Sequence, residues 1–204
     1  LWLAEAGAIV TGISIDEVSQ PSHFRAAILT NLMEDIRVDI RDSEALKSAF
    51  KSIKPDFVFH LAAQALVRPS YELPLETLTT NAIGSANLLD ALRGLSNDVF
   101  AVMITSDKAY DNVEWIWGYR ETDRLGGKDP YSASKGMAEL AIRSYIESFF
   151  IKSNVRVCIA RAGNVIGGGD WAVDRIVPDC MRAWSNSDFV DIRYPKSTRP
   201  WQHV

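Results

Sequence analysis

A chain of 204 residues, 47% hydrophobic and 24% charged, has the bulk for one globular domain with a sizeable core and excludes a disordered polymer. Its formal net charge of -4 argues against nucleic acid or an anionic membrane as the main partner. A local basic pocket for phosphate remains open, with Arg68, Arg175 and Arg199 as candidates. No run approaches the roughly 20 apolar residues that span a bilayer, and no charged segment precedes an apolar leader. Cys158 in an apolar run and Cys180 in a helical pattern have no Cys-x-x-Cys or Cys/His spacing, so both are expected as core thiols of a cytoplasmic protein.

In chain order, Leu1 to Gly7 reads as the last turns of an amphipathic helix closed by glycine. Apolar strand-like runs at 8–15, 35–39, 56–62, 99–105 and 155–160 then alternate with helical patterns at 43–53, 74–95 and 130–150. Alternation of this kind, with nearly all-apolar strands, predicts an α/β fold: a Rossmann-like, doubly wound parallel sheet covered on both faces. After Ala162 the pattern changes to a glycine-rich stretch through Trp171 and a short helix at 175–184. Residues 1–162 are therefore expected as a dinucleotide-binding domain, and 163–204 as the start of a small substrate-binding cap at the carboxyl edge of the sheet. Both ends are expected to lie inside a longer protein.

The chemistry centres on Tyr131-Ser-Ala-Ser-Lys135. On a helix, positions 131 and 135 share a face, and a lysine beside a phenol stabilises the phenolate. The pentad alone is a weak signal, equally a half-buried tyrosine and a solvated lysine on an ordinary helix. Ser106, at the end of the run 99–105, is either a turn cap or a hydroxyl that shares the moving proton. Together the three residues read as a hydride-transfer site. His60 ends a buried run and is expected to be structural; no histidine sits at metal-ligand spacing, so no metal is expected. Gly167-Gly168-Gly169 reads as a turn, because no lysine follows where a phosphate loop requires one. Trp115, Trp117, Trp171 and Trp201 are expected to pack and shape the pocket.

His60-Leu-Ala-Ala63, Thr105-Ser106-Asp107, the Tyr131/Lys135 helix and Arg161-Ala-Gly-Asn164 occur in the order and spacing of the extended short-chain dehydrogenase/reductase superfamily, which the whole chain resembles. Within it, Ser106 to Asn112, Trp115 to Glu121, Gly163 to Trp171 and Arg199 to Val204 are most similar to the CDP-glucose 4,6-dehydratases. The resemblance implies an NAD-dependent lyase in which Tyr131, Lys135 and Ser106 serve C4 oxidation, Asp107 is the acid and Lys108 the base of water loss. Taken without that context, Asp107-Lys108 is a surface ion pair. The resemblance also implies cofactor contacts at Ser14, Asp39, Ile40, Leu61, Ala62, Ala63, Gln64 and Thr80, with Tyr131 and Lys135. Substrate contacts would come from Ser70, Asn164, Arg175 and Arg199. Leu61-Ala62-Ala63 is otherwise plain strand-end packing, and Arg175 otherwise a solvated charge.

Relatives often carry an acidic residue where Ser14 aligns, with Asp16 two positions later, which weakens the usual argument for NAD over NADP. The family's glycine-rich turn and its central first strand have no counterpart here, so these residues alone are expected to fold poorly, bind NAD weakly and lack activity. Helices 74–95 and 130–150 resemble the pair that forms a homodimer interface in relatives, or else their extra apolar positions serve the core. Rival readings are another nucleotide-sugar 4,6-dehydratase acting on dTDP-glucose or GDP-mannose, a 4-epimerase, or a non-catalytic dinucleotide sensor.

Overall fold

The computed structural model describes residues 1–17 and 20–204. They form two compact units, one of residues 1–37 and 163–204, the other of residues 38–162.

In the first unit, α1 (Trp2–Glu5) is followed by Gly7 at φ +88°, the left-handed position foreseen for that glycine. β1 (Thr11–Ser14) pairs in parallel with β2 (Glu34–Arg37), with α2 (His23–Ala26) on the connection between them. The Ser22 hydroxyl caps α2 by accepting from Arg25 N at 3.2 Å.

The second unit carries the parallel sheet β3 (Phe57–His60), β4 (Val99–Ser106) and β5 (Val155–Ala162), in that spatial order. α3 (Ser43–Ile53) precedes β3, starts where the Asp42 carboxylate accepts from Ala45 N at 3.0 Å, and ends at Lys54 in the left-handed region. Its Leu46 and Phe50, one turn apart, are buried, and it packs on α6. After β3 come α4 (Val67–Glu72) and α5 (Pro74–Leu78), which runs through a wide, π-type turn at Thr79–Ile83 into α6 (Gly84–Arg93). Between β4 and β5 lies α7 (Pro130–Tyr145), continued by a second wide turn at Ile146–Phe150.

Val99, Ala101, Met103 and Thr105 alternate along β4 on its buried face, and β4 packs there on α7, which in turn packs on α6. The other face differs from expectation. Phe57 is 66% exposed, Phe59 47% and Phe100 52%, so the sheet of this unit is covered on one face only among the described residues. Cys158 sits in register with Val102 on that same open face and is exposed, which corrects its reading as a core thiol; Cys180 is half-buried. β1 has β2 as its one strand partner and β3 has β4, so each leaves an unpaired edge among the described residues.

The first unit closes with β6 (Asn164–Ile166), α8 (Ile176–Ser185) and β7 (Trp201–His203), β6 and β7 being parallel. Among the described residues no helix is long and apolar enough to cross a membrane.

The start of α7 is held tightly. Asp129 accepts from Ser132 N at 2.9 Å and from the Ser132 hydroxyl at 2.6 Å, with Pro130 preset for the first turn. Gly127 approaches this turn so closely that a β-carbon there would lie 2.4 Å from Ala133 N and from the Ser132 carbonyl carbon. Because the obstruction is backbone, Gly127→Ala is expected to destabilise the full-length protein carrying these residues by about 1–3 kcal/mol, read from urea unfolding at an unchanged m-value.

Candidate active site

Parallel strands deliver their carboxyl ends to one edge, and β4 ends at Ser106 against the first turns of α7. Tyr131 and Lys135, one turn apart on the buried side of α7, are 9% and 7% exposed, with the Lys135 ammonium 6.0 Å from the phenol ring centroid. Burial pushes the Lys135 ammonium down to about 8. It forms no ion pair among the described residues, so its charge lies beside the phenol without a carboxylate to offset it. The ordinary-helix alternative, with a solvated lysine, is not what forms.

Ser106 leads into a single 3₁₀ turn, Asp107–Ala109. Its hydroxyl donates to Asp107 Oδ1 at 3.0 Å and accepts from Lys108 N at 3.2 Å, so it caps the turn and touches the acid candidate at once. Asp107 and Lys108 form no ion pair with each other among the described residues, which removes the surface-pair alternative. Both are half-buried.

Two polar clusters that sequence reasoning missed hold this corner. The side-chain amide of Asn81, in the wide turn of the α5–α6 helix, accepts from Gln64 N at 2.8 Å and donates to Gln64 O at 3.0 Å. It also donates to the Ser134 hydroxyl at 2.8 Å, which donates to the Tyr131 carbonyl at 2.6 Å. The loop after β3 is thereby tied to the turn of α7 that carries Tyr131. The second cluster is Glu139, fully buried and bonded to Thr105 and Arg161. For Glu139 the signal was a charged residue on an apolar helix face, four positions after Lys135.

Other candidates fall as follows. Leu61 is 68% exposed beyond β3, with Ala62 and Ala63 half-buried beside it. The Gln64 side chain is occupied locally, donating to Leu66 O and Thr77 Oγ1 and accepting from Leu66 N. Asp39 is gripped by Arg41, whose hydrogen bonds hold its carboxyl below the usual range, and Ile40 is buried. Thr80 is half-buried in the wide turn. Ser70 is fully buried and donates to Val67 O at 2.6 Å, so a role toward a ligand would require breaking that bond. In the other unit, Ser14 ends β1 and accepts from Arg37 Nη1 at 3.1 Å. Asn164 opens β6, Arg175 precedes α8 and lies 3.8 Å from Asp170, and Arg199 is exposed. Trp115 packs at a tilt on Tyr119, which stacks on Tyr110, but Trp117 and Trp201 are exposed, correcting their reading as packing residues.

His60 is structural, as expected. Buried at 5% exposure, its Nε2 lies 2.9 Å from Ser85 Oγ, and the serine proton goes to Asn81 O at 2.7 Å, which makes Nε2–H the donor. Burial first, and then the Lys135 charge, push its pKa down to about 4. Between pH 6.5 and 4 the unfolded chain takes a proton that the folded one refuses, so stability falls as pH falls through that window. His60→Gln is expected to remove up to about 3 kcal/mol of this acid-side slope, measured by urea unfolding from pH 7 to pH 4.

Comparison with known proteins places the whole chain. Residues 2–204 match the family model described as GDP-mannose 4,6 dehydratase. The chain is 52% identical over its whole length to CDP-glucose 4,6-dehydratase of Salmonella typhimurium, of which it covers 58%. It is 29% identical to dTDP-D-glucose 4,6-dehydratase of Dictyostelium discoideum over 81% of this chain and 39% of that one. Among solved structures, UDP-glucose 4-epimerase of Thermotoga maritima superposes with a TM-score of 0.83 at 22% identity, over 99% of this chain and 63% of that one. The dTDP-glucose 4,6-dehydratase DesIV of Streptomyces venezuelae superposes with a TM-score of 0.82 at 20% identity, with the same coverage of 99% and 63%. The chain thus spans less than two thirds of the length of these relatives. With the Tyr131/Lys135 pair, the Ser106 corner and a match along nearly every residue, the chain belongs to the GDP-mannose 4,6-dehydratase family.

Proposed function

We propose that the full-length protein carrying this chain is an NAD-dependent CDP-glucose 4,6-dehydratase, a hydro-lyase. The observation that carries the reading is the buried Tyr131/Lys135 pair set against Ser106, Asp107 and Lys108 at one strand end. The choice of CDP-glucose is supported by the 52% identity to the Salmonella typhimurium enzyme of that name.

The residues fit the cofactor. An ammonium buried to 7% exposure with no ion pair among the described residues suits the hydroxyl groups of a nicotinamide ribose. Leu61 to Gln64 would supply backbone beside the dinucleotide, Asp39 and Ile40 would border the adenine, and Thr80 and Ser14 are further candidate contacts. NAD, when bound, supplies the acceptor that takes hydride from sugar C4 and returns it to C6.

Tyr131, beside the Lys135 ammonium, takes the C4 hydroxyl proton as the C4–H bond breaks. The resulting ketone acidifies the proton on C5. Lys108 removes that proton, Asp107 protonates the C6 oxygen, and the C6–O bond breaks with loss of water. Hydride addition at C6 and return of a proton to C5 give CDP-4-dehydro-6-deoxyglucose. An epimerase has no use for the second acid/base pair, which is why Asp107 and Lys108 favour the dehydratase.

Asn164, Arg175 and Arg199 would meet the nucleotide sugar from residues 163–204, read as the start of a substrate-binding region; Ser70 would join them only after rearrangement. A homodimer through helices 74–95 and 130–150 is supported by exposed Leu75, Ile83, Met137 and Leu140 on them. The proposed location is the cytoplasm.

CDP-glucose, dTDP-glucose and GDP-mannose, each incubated with the full-length protein with and without NAD, are expected to give loss of one water from CDP-glucose by mass spectrometry. Tyr131→Phe should slow it at least about 100-fold, and Lys108→Ala should keep slow C4 redox without water loss. Isomerisation without mass change would make the protein an epimerase, and binding without turnover a sensor.

A further inference from the structure

Four side chains with no part in the chemistry above form one connected polar cluster behind it. Glu139, fully buried on α7, accepts from Thr105 Oγ1 at 2.8 Å, from Arg161 Nε at 2.6 Å and from Arg161 Nη2 at 2.5 Å. Arg143 lies 3.6 Å away at the edge of the cluster. Thr105 and Arg161 are cross-strand neighbours in the β4–β5 ladder, so one carboxylate collects donors from two strand ends. The Arg161 guanidinium sits 4.4 Å over the Tyr110 ring, and its Nη1 donates to the Glu121 carbonyl at 3.4 Å, which also accepts from Arg143 Nη2 at 3.2 Å.

We infer that Glu139 is a positioning residue: through Thr105 and Arg161 it fixes the Ser106–Asp107–Lys108 corner, and the segment from Tyr110 to Gly126, against the face of α7 that carries Tyr131 and Lys135. This inference rests on the functional reading above.

Three features favour positioning over mere stability. A buried ion pair is a poor stabiliser, since well-packed apolar residues of the same volume do as well or better; its distinctive property is directional register. The register here is the one catalysis needs: Thr105 immediately precedes Ser106, and Glu139 stands one turn beyond Lys135 on the same buried side. The cluster also touches the segment after the corner, at Tyr110 and at the Glu121 carbonyl, and backbone bonds close that segment's ends. Gly126 N donates to Ala109 O at 2.9 Å and Asp111 N to Arg124 O at 2.9 Å, so Tyr110 and Glu121 are held where Arg161 reaches them. Displacement of a reacting group by about 1 Å costs on the order of 100-fold in rate, so modest slack at Thr105 becomes large at Lys108.

The test uses the full-length protein with Glu139→Gln, which keeps the shape and loses the charge, and Thr105→Val, which removes a single hydroxyl. Glu139→Gln is expected to slow water loss from CDP-glucose about 10- to 100-fold with KM changed less than about threefold. C4 oxidation should survive, so that absorbance of reduced nicotinamide accumulates. Hydrogen–deuterium exchange at the Lys108, Asp111 and Gly126 amides should rise at least about tenfold over the exchange inside β4. Thr105→Val should move both readouts the same way by less, and Thr105→Ser should restore them. Equal loss of C4 oxidation and water loss, or a lower melting temperature with unchanged turnover per folded molecule, would overturn the proposal. A wild-type protein that dehydrates none of the sugars removes the functional reading instead, and exchange at the three amides then decides whether Glu139 holds the segment.

Discussion

A carboxylate with no exposed surface is tolerated only if cations and donors reach nearly all of its lone pairs, and that requirement at Glu139 organises the end of the sheet. Arg161 meets it bidentately and Thr105 takes a further position, so α7, β4 and β5 share one solution for their relative placement. The hydrogen bond to Glu139 also raises the Arg161 pKa further above its already high value. Removing one partner of such a pair typically costs about 3–5 kcal/mol, whereas the exposed pairs elsewhere in the chain, such as Lys47 with Glu44, hold little.

Around this anchor the buried polar groups divide into two kinds. Asn81 and Glu139 are richly bonded within the protein and act as struts. Lys135 is the opposite, a cation taken out of water without an anion, and its depressed pKa records the cost. His60 adapts by remaining neutral, donating to Ser85 while the Lys135 charge discourages protonation further. A fold keeps an under-compensated ammonium where something other than the protein completes it, which is why the Tyr131/Lys135 pair, and not the more heavily bonded Glu139 cluster, is proposed as the chemical centre.

Much of this was legible in the sequence. The bounds of α3, and of the helical run from 130 to 150, followed from apolar spacing alone, and β1 to β5 each lie within or overlap an apolar run. Short elements such as α2, α4, β6 and β7 escaped because three to six residues hold too little periodicity to read. Cys158, Phe57 and Phe100 misled because an apolar strand reads the same whether one face or both are covered. Asn81 was hidden for a geometric reason: the wide turn at Thr79–Ile83 shifts the helical phase, so an amide that a regular period leaves unassigned turns inward to Gln64 and Ser134. The Tyr131, Lys135 and Ser106 triplet could be picked out without any structure because the motifs around it occur in a known order and spacing, while Thr105 and Arg161 meet only once the strands are in register.

The corner after β4 shows why a strand end suits paired acid and base chemistry. Along a strand consecutive side chains point to opposite faces, but in a 3₁₀ turn they diverge by about 120°. Asp107 and Lys108 therefore leave the same rigid turn in different directions, and the Ser106 hydroxyl occupies the Asp107 oxygen that faces it. Adjacent residues of opposite charge would otherwise collapse into a pair in which neither is free to act. With Ser106 bonded to Asp107 and to the Lys108 backbone, the turn keeps the two side chains apart, as the proposed separate acid and base roles require.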